Sequence, residues 1–229
     1  MDETEVVVRA VREVGEDTVA LELETPPAFD ARPGQFVQIR GEVDGEAITR
    51  HYTLSSPDVF EPRSNGSSDE SGGAAETFEI TVGVDPEGDL SPWLADREAG
   101  DTVGVDGPYG EAYYEDEESV VLLAGGPGVG PAVGIGERAV ADGHDAVVVY
   151  QDDAPAHEDR LRALADRGAT VVMTDQALAD DERVRETLRA ATGQFFVYGF
   201  ADFLDAAEEV LAESGHDFAD AKAENFGPS

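Results

Sequence analysis

The chain has 229 residues, 15 basic and 51 acidic, for a formal charge of −36, and it contains no cysteine. That length fits one or two domains with a sizeable core, and the missing cysteine excludes disulfides, thiolate-held zinc, iron–sulfur clusters and thiol catalysis within this sequence. So negative a chain argues against nucleic-acid backbones and anionic membrane surfaces as partners.

No stretch approaches ~18 uninterrupted apolar residues, so no membrane span is expected. The start, Met1-Asp2-Glu3-Thr4-Glu5, is acidic and carries no apolar export segment, so a cytoplasmic protein is expected. The acids are spread over the whole chain, and fourteen arginines stand against one lysine, Lys222. Such a surface predicts adaptation to high salt, where the Debye length falls to ~3 Å at 1 M.

The first half reads as short strands over 6–11, 18–23, 35–40, 48–54, 78–82 and 102–105. Turn residues separate them: Pro33-Gly34, Asp44-Gly45, Pro86-Glu87-Gly88 and Gly107-Pro108. This punctuation predicts a six-stranded antiparallel barrel. A short helix is expected over 91–97, with Ser91 as N-cap and Pro92 at its first position. Residues 61–76 are a low-complexity insert, expected as a mobile surface loop.

The second half changes period. Continuous apolar runs at 120–124, 146–150, 169–173 and 194–198 alternate with helical segments near 131–142, 158–167, 180–191 and 201–214. That alternation predicts a parallel sheet with helical crossovers, completed by a short fifth strand over 221–224. The charged connector Glu115-Asp116-Glu117-Glu118 places the boundary near residue 114, giving domains 1–113 and 114–229.

Three segments carry chemistry. Alternation in Arg50-His51-Tyr52-Thr53 puts a permanently charged fork and a phenol ring on one strand face. On the residues alone, Arg50 serves either a phosphate-bearing flat ligand or a neighbouring acid. Gly88-Asp89-Leu90-Ser91 leads into a helix N-terminus, which is either an anion site or an ordinary cap. Gly125-Gly126-Pro127-Gly128-Val129-Gly130-Pro131 follows a buried strand and opens a helix, a context suited to a pyrophosphate. His51, His144, His157 and His216 are scattered, and no metal site is expected.

In this order and spacing the segments resemble the ferredoxin–NADP reductase family of flavoproteins, especially bacterial ferredoxin/flavodoxin reductases. The resemblance is carried by Pro33-Gly34-Gln35-Phe36, Val43-Asp44-Gly45-Glu46, Arg50-His51-Tyr52-Thr53, Gly88-Asp89-Leu90-Ser91, Gly107-Pro108-Tyr109-Gly110 and the Gly-Gly loop. It implies an FAD-binding barrel followed by an NAD(P)-binding α/β domain. Arg50 would hold the FAD pyrophosphate with the backbone of Leu90 and Ser91, released by Gly88. The segment with His51 would line the flavin, Tyr52 packing on the ring and Thr53 lying near its N5. Gly126, Gly128, Val129 and Pro131 would take the NAD(P) pyrophosphate. Tyr198-Gly199-Phe200 replaces the family's Cys-Gly-Pro near the nicotinamide, and Pro127 replaces a threonine. Glu224 and Phe226 match the C-terminal acid and aromatic beside the flavin, which makes Tyr52, Thr53 and Glu224 the catalytic candidates.

The resemblance further implies hydride transfer from the nicotinamide to the flavin and electron delivery to ferredoxin or flavodoxin. With no cysteine, no iron–sulfur domain is fused within these residues. The carboxylates in Gln151-Asp152-Asp153 and Thr174-Asp175-Gln176 favour NADH over NADPH, because they repel a 2′-phosphate and accept from ribose hydroxyls. The alternatives are an NAD(P)H:flavin reductase, or a flavin-binding electron-transfer subunit with a modified or silent nicotinamide site.

Overall fold

The computed structural model describes residues 3–56 and 76–227. All of the predicted insert except Glu76 lies outside the described residues. The first half is a six-stranded sheet in the order β4-β3-β6-β1-β2-β5. Its strands are β1 (Thr4–Gly15), β2 (Thr18–Glu24), β3 (Phe36–Val43), β4 (Glu46–Thr53), β5 (Thr77–Gly83) and β6 (Thr102–Tyr109), all paired antiparallel. The two edges meet where Leu54 bridges Ile80 and the Ser55 N–H donates to the Glu79 carbonyl at 2.8 Å, curling the sheet into a barrel. Alternate residues fill its interior, among them Val8, Leu21, Leu23, Val37, Ile39, Ile80 and Val105.

All six predicted strands are present. β1 runs four residues beyond the expected end, to Gly15, because Arg12 and Glu13 pair with Ala20 and Val19 although their side chains are polar. The short helix α1 spans Leu90–Ala95, not 91–97. Asp89, not Ser91, holds the N-cap position, and the Ser91 hydroxyl instead accepts the Asp85 N–H at 3.1 Å.

The second half is a parallel sheet in the order β11-β10-β7-β8-β9. It contains β7 (Ser119–Gly125), β8 (Asp145–Gln151), β9 (Thr170–Thr174), β10 (Gln194–Gly199) and β11 (Lys222–Asn225). β7 is buried at every position after Ser119, the burial expected of a strand covered on both faces. The helices are α2 (Val129–Asp142), α3 (Glu158–Asp166), α4 (Glu182–Ala190) and α5 (Ala201–Ser214). α2 begins before the expected Pro131. Gly126–Gly128 form a 3-10 turn, and Pro131 is the third helical residue, where its missing N–H is still unneeded.

The two sheets meet through α2 and α3. Gly130 and Gly134 let α2 lie against the barrel, since an added Cβ would come within 2.6 Å of Thr81 Oγ1 and 2.9 Å of the Ser55 carbonyl oxygen. Arg160 on α3 then crosses the interface. Its guanidinium donates to both Glu137 oxygens at 2.8 and 2.7 Å, to Glu79 Oε1 at 2.8 Å and to the Ser55 carbonyl at 2.7 Å. Beside it, the His157 N–H donates to the Val14 carbonyl at 2.8 Å, and its Nε2 lies 2.8 Å from Thr81 Oγ1. Burial first, then Arg160 and Arg12, pushes the His157 imidazole down to about 3, so it is neutral here at ordinary pH.

Replacing Arg160 by alanine strands the half-buried Glu137 carboxylate and leaves Glu79 with only Arg12 and the Ser55 hydroxyl, and we expect a loss on the order of 3 kcal/mol. Chemical denaturation in molar salt checks this, and a loss below about 0.5 kcal/mol, as for an ordinary surface pair, would contradict it.

Candidate functional site

A cleft of about 400 Å³ opens between the end of β4, the β5–α1 segment and the C-terminal ends of the second sheet. Its floor on the barrel side is Arg50, His51, Tyr52 and Thr53, so all four motif residues reach one cavity. Alternation alone would turn Thr53 away from Arg50 and Tyr52. β4 ends at Thr53, however, just before the bridge at Leu54, so the alternating pattern stops there.

Arg50 is exposed, and its Nη1 donates to the carbonyl of its neighbour Thr49 at 2.9 Å. It has no carboxylate within ion-pair distance among the described residues. In a chain with 51 acids, that leaves a guanidinium fork free for an anion. Burial pushes the Tyr52 phenol up to about 12 against the pull of Arg50, so it stays neutral. Gly88, Leu90 and Ser91 line the same cavity, and the first N–H groups of α1 have no helical acceptor.

The opposite wall is apolar, built from Pro127, Phe200 and Phe226. The two phenylalanine rings meet edge to face, 6.0 Å between centroids. Phe226 is held by its N–H on the Gly199 carbonyl at 2.9 Å, and the Ala201 N–H donates to the Gly227 carbonyl at 3.1 Å. From the cavity floor Thr53 Oγ1 donates to Glu224 Oε1 at 3.0 Å, and Glu224 itself does not line the cavity. Glu224 Oε2 is buried without a hydrogen-bond partner among the described residues. Burial raises the carboxyl to about 7, against the stabilising bond from Thr53.

The other expected positions sit differently. Gly126, Gly128, Val129, Pro131 and Gly199 do not line the cavity. Val129 and Pro131 are buried, and the Val129 N–H is spent on the carbonyls of Gly126 and Pro127. Gly128 packs against the Tyr198 carbonyl, where an added Cβ would lie 2.2 Å from the oxygen. Gly126, with φ 55°, faces open space. Tyr198 is fully buried, and its hydroxyl donates to the Ala112 carbonyl, so it anchors the connector between the sheets and does not line the cleft. Thr81, Gly83, Asp85 and Asp89 complete the lining. Asp89 lies within the Gly88–Ser91 motif, whereas the turn residues before Gly88 were the sequence signal nearest to Asp85.

At the carboxyl ends of β8 and β9, Asp153 and Asp175 are exposed. Asp152 accepts from Tyr150 Oη and the Ala154 N–H, both at 2.9 Å. The nearby Arg183 guanidinium is bound to Asp181 at 2.6 Å and to the Met173 carbonyl at 3.1 Å. Among the described residues no cluster of acids or histidines could hold a metal ion, and no helix is long and apolar enough to cross a membrane.

Residues 5–114 match the family model for the oxidoreductase FAD-binding domain. The chain is 34% identical to the glycine betaine monooxygenase reductase subunit of Chromohalobacter salexigens over 54% of its own length and 32% of that protein. It is 25% identical to the subunit of the same description from Pseudomonas aeruginosa, over 97% of this chain and 64% of that one. The chain thus matches 32% to 64% of the length of these curated relatives. Its fold matches the ferredoxin reductase in carbazole 1,9a-dioxygenase with a TM-score of 0.75 at 21% identity, covering 98% of this chain and 69% of that one. Residues 5–114 are thus similar to an oxidoreductase FAD-binding domain, and the whole chain, a barrel joined to a parallel α/β half, shares its fold with a solved ferredoxin reductase.

Proposed function

We propose that the chain is the flavin-reducing module of an electron-transfer system, taking hydride from NADH and passing electrons to a separate acceptor protein. The observation that carries this reading is Arg50, the cation of the cleft that no acid among the described residues pairs with. Two further features support the fit to FAD: an apolar wall facing Tyr52, suited to a flat ring, and the unpartnered Glu224 Oε2 beside Thr53. FAD, when bound, supplies hydride acceptance and one-electron release.

The chain's own residues bind, orient and exclude water. Arg50 and the N–H groups of Leu90 and Ser91 grip the pyrophosphate, with Gly88 giving access to the backbone and His51 bordering the site. Tyr52 packs against the ring as a neutral phenol. Phe200 and Phe226 close the far side to solvent. Thr53 fixes Glu224 through Oε1, so a carboxyl proton resides on Oε2. We assign the nucleotide to the open side of Gly126 and the carboxyl edge of the parallel sheet beside Gly128 and Gly199. The junction of the two functional halves falls at 113/114. Asp153 and Asp175 are exposed there and Arg183 is engaged by Asp181, a setting among the described residues that disfavours a 2′-phosphate and favours NADH. The acceptor is a ferredoxin or flavodoxin, or the oxygenase component that such a reductase subunit serves. We further read the acidic surface as an adaptation to salt, so the assays below use molar salt.

Three outcomes follow. The protein purified in molar salt should be yellow and bleach anaerobically with NADH, at a higher kcat/KM than with NADPH; a clear NADPH preference contradicts the coenzyme assignment. A yellow protein that neither nucleotide bleaches is instead an electron-transfer subunit with a silent nicotinamide site. Arg50→Ala should weaken FAD binding about 10- to 100-fold, as for loss of a charge-assisted fork, and unchanged affinity contradicts the pyrophosphate role.

Glu224 gives a pH prediction. Its folded-state value is raised from 4.5 to about 7, so the folded protein binds this proton more tightly than the unfolded chain does. Its contribution is complete below pH 4.5 and is lost as pH rises through 7. Glu224→Gln should therefore remove a fall in stability between those values. A wild-type and variant difference that is flat with pH, followed by denaturation at several pH values, would count against it.

A further inference from the structure

Lys222 is the chain's single lysine, and its surroundings are unusually complete. Its ammonium donates to the Tyr113 carbonyl at 2.9 Å, to Glu115 Oε2 at 2.8 Å and to Glu117 Oε1 at 2.6 Å. The same nitrogen lies 5.7 Å from the Tyr113 ring centroid and 5.2 Å from that of Phe196. Three acceptors converging on one nitrogen match the three donors of an ammonium, and the planar guanidinium used everywhere else in this chain does not offer them from one point.

All three acceptors belong to the connector between β6 and β7, the segment that joins the two sheets. Lys222 itself opens β11, a four-residue edge strand paired only with β10, Phe196 opposite Lys222 and Tyr198 opposite Glu224. Strand alternation puts Lys222 and Glu224 on the same face, and both are half-buried while Ala223 and Asn225 are exposed. Phe226 follows at the cleft wall. Four backbone pairs are little to fix the register of an edge strand. The connector is in turn tied to the barrel, Tyr114 N–H donating to the Pro33 carbonyl at 3.0 Å, and to β10 through Tyr198.

We propose that Lys222 is a positioning residue that fastens the interdomain connector to β11 and thereby holds Glu224 against Thr53 and Phe226 at the cleft. Its importance for cofactor binding rests on the flavin reading above; its effect on Glu224 does not. Glu224 faces Thr53 from β4, and Glu224 and Glu117 both act on the buried phenol of Tyr198 on β10. Freed from this setting, the carboxyl would meet water.

The test is Lys222→Met in the full chain, in molar salt, with Glu117→Gln as the milder variant should the first fail to fold. The Glu224 carboxyl titration, followed by NMR without flavin, should move from near 7 towards 4.5. FAD affinity should fall about tenfold, and adding Thr53→Val to Lys222→Met should cost less than it costs the wild type, the non-additivity expected of residues acting through one contact. An unmoved Glu224 titration in the folded variant overturns the proposal, whatever FAD does. Wild-type protein that binds no FAD overturns the flavin reading, and the titration still decides the role of Lys222.

Discussion

The cleft exists because a barrel edge and a parallel sheet are held face to face, and the Arg160 guanidinium is the chief polar tie between them. It satisfies Glu137 on its own side and Glu79 and the Ser55 carbonyl across the interface. Those barrel groups lie where the sheet closes: Ser55 directly follows the Leu54–Ile80 bridge, and Glu79 directly precedes it. The same tie therefore closes the barrel and docks the second half. The close glycine face of α2 lets both happen without a gap. Charges half out of water need every partner, because an unpaired carboxylate there costs far more than a surface pair contributes.

Charge explains much of the remaining layout. Most arginines of this acid-rich chain are committed to carboxylates, several of them exposed pairs within one helix such as Arg162 with Glu158 and Asp159. Such pairs contribute little individually and less in salt. Against that background a guanidinium with no carboxylate partner among the described residues stands out as available, and Arg50 is the one that lines the cleft. The aromatic wall opposite it is the complementary feature, since a flat cofactor with an anionic tail needs both.

Much of this was legible beforehand. Alternation, continuous apolar runs and Gly/Pro punctuation located the strands of both sheets, and the motifs at Arg50–Thr53 and Gly88–Ser91 fall in one cleft. What was not legible depended on contacts across the fold. The end of β1 is polar in sequence and strand in structure because β2 pairs with it. Ser91 looks like a helix cap, but its hydroxyl is taken by the Asp85 N–H. Val129 looks like a phosphate-binding amide, but the 3-10 turn before it consumes that N–H. The resemblance sets Tyr198 in place of a cysteine near a nicotinamide, yet its hydroxyl reaches the connector at Ala112. Arg160 lies in a segment that reads as an ordinary charged helix face, and nothing local announces that it joins the two sheets.

The central claim is that this cleft grips a flavin through its pyrophosphate, by Arg50 and the start of α1. Calorimetric titration of the flavin-free chain in molar salt with FAD and with FMN, which shares the ring but lacks the pyrophosphate, tests it most directly. The account predicts binding of FAD at least about tenfold tighter than FMN, as befits charge-assisted bonds that FMN cannot complete. Equal affinities, or tighter binding of FMN, would contradict it.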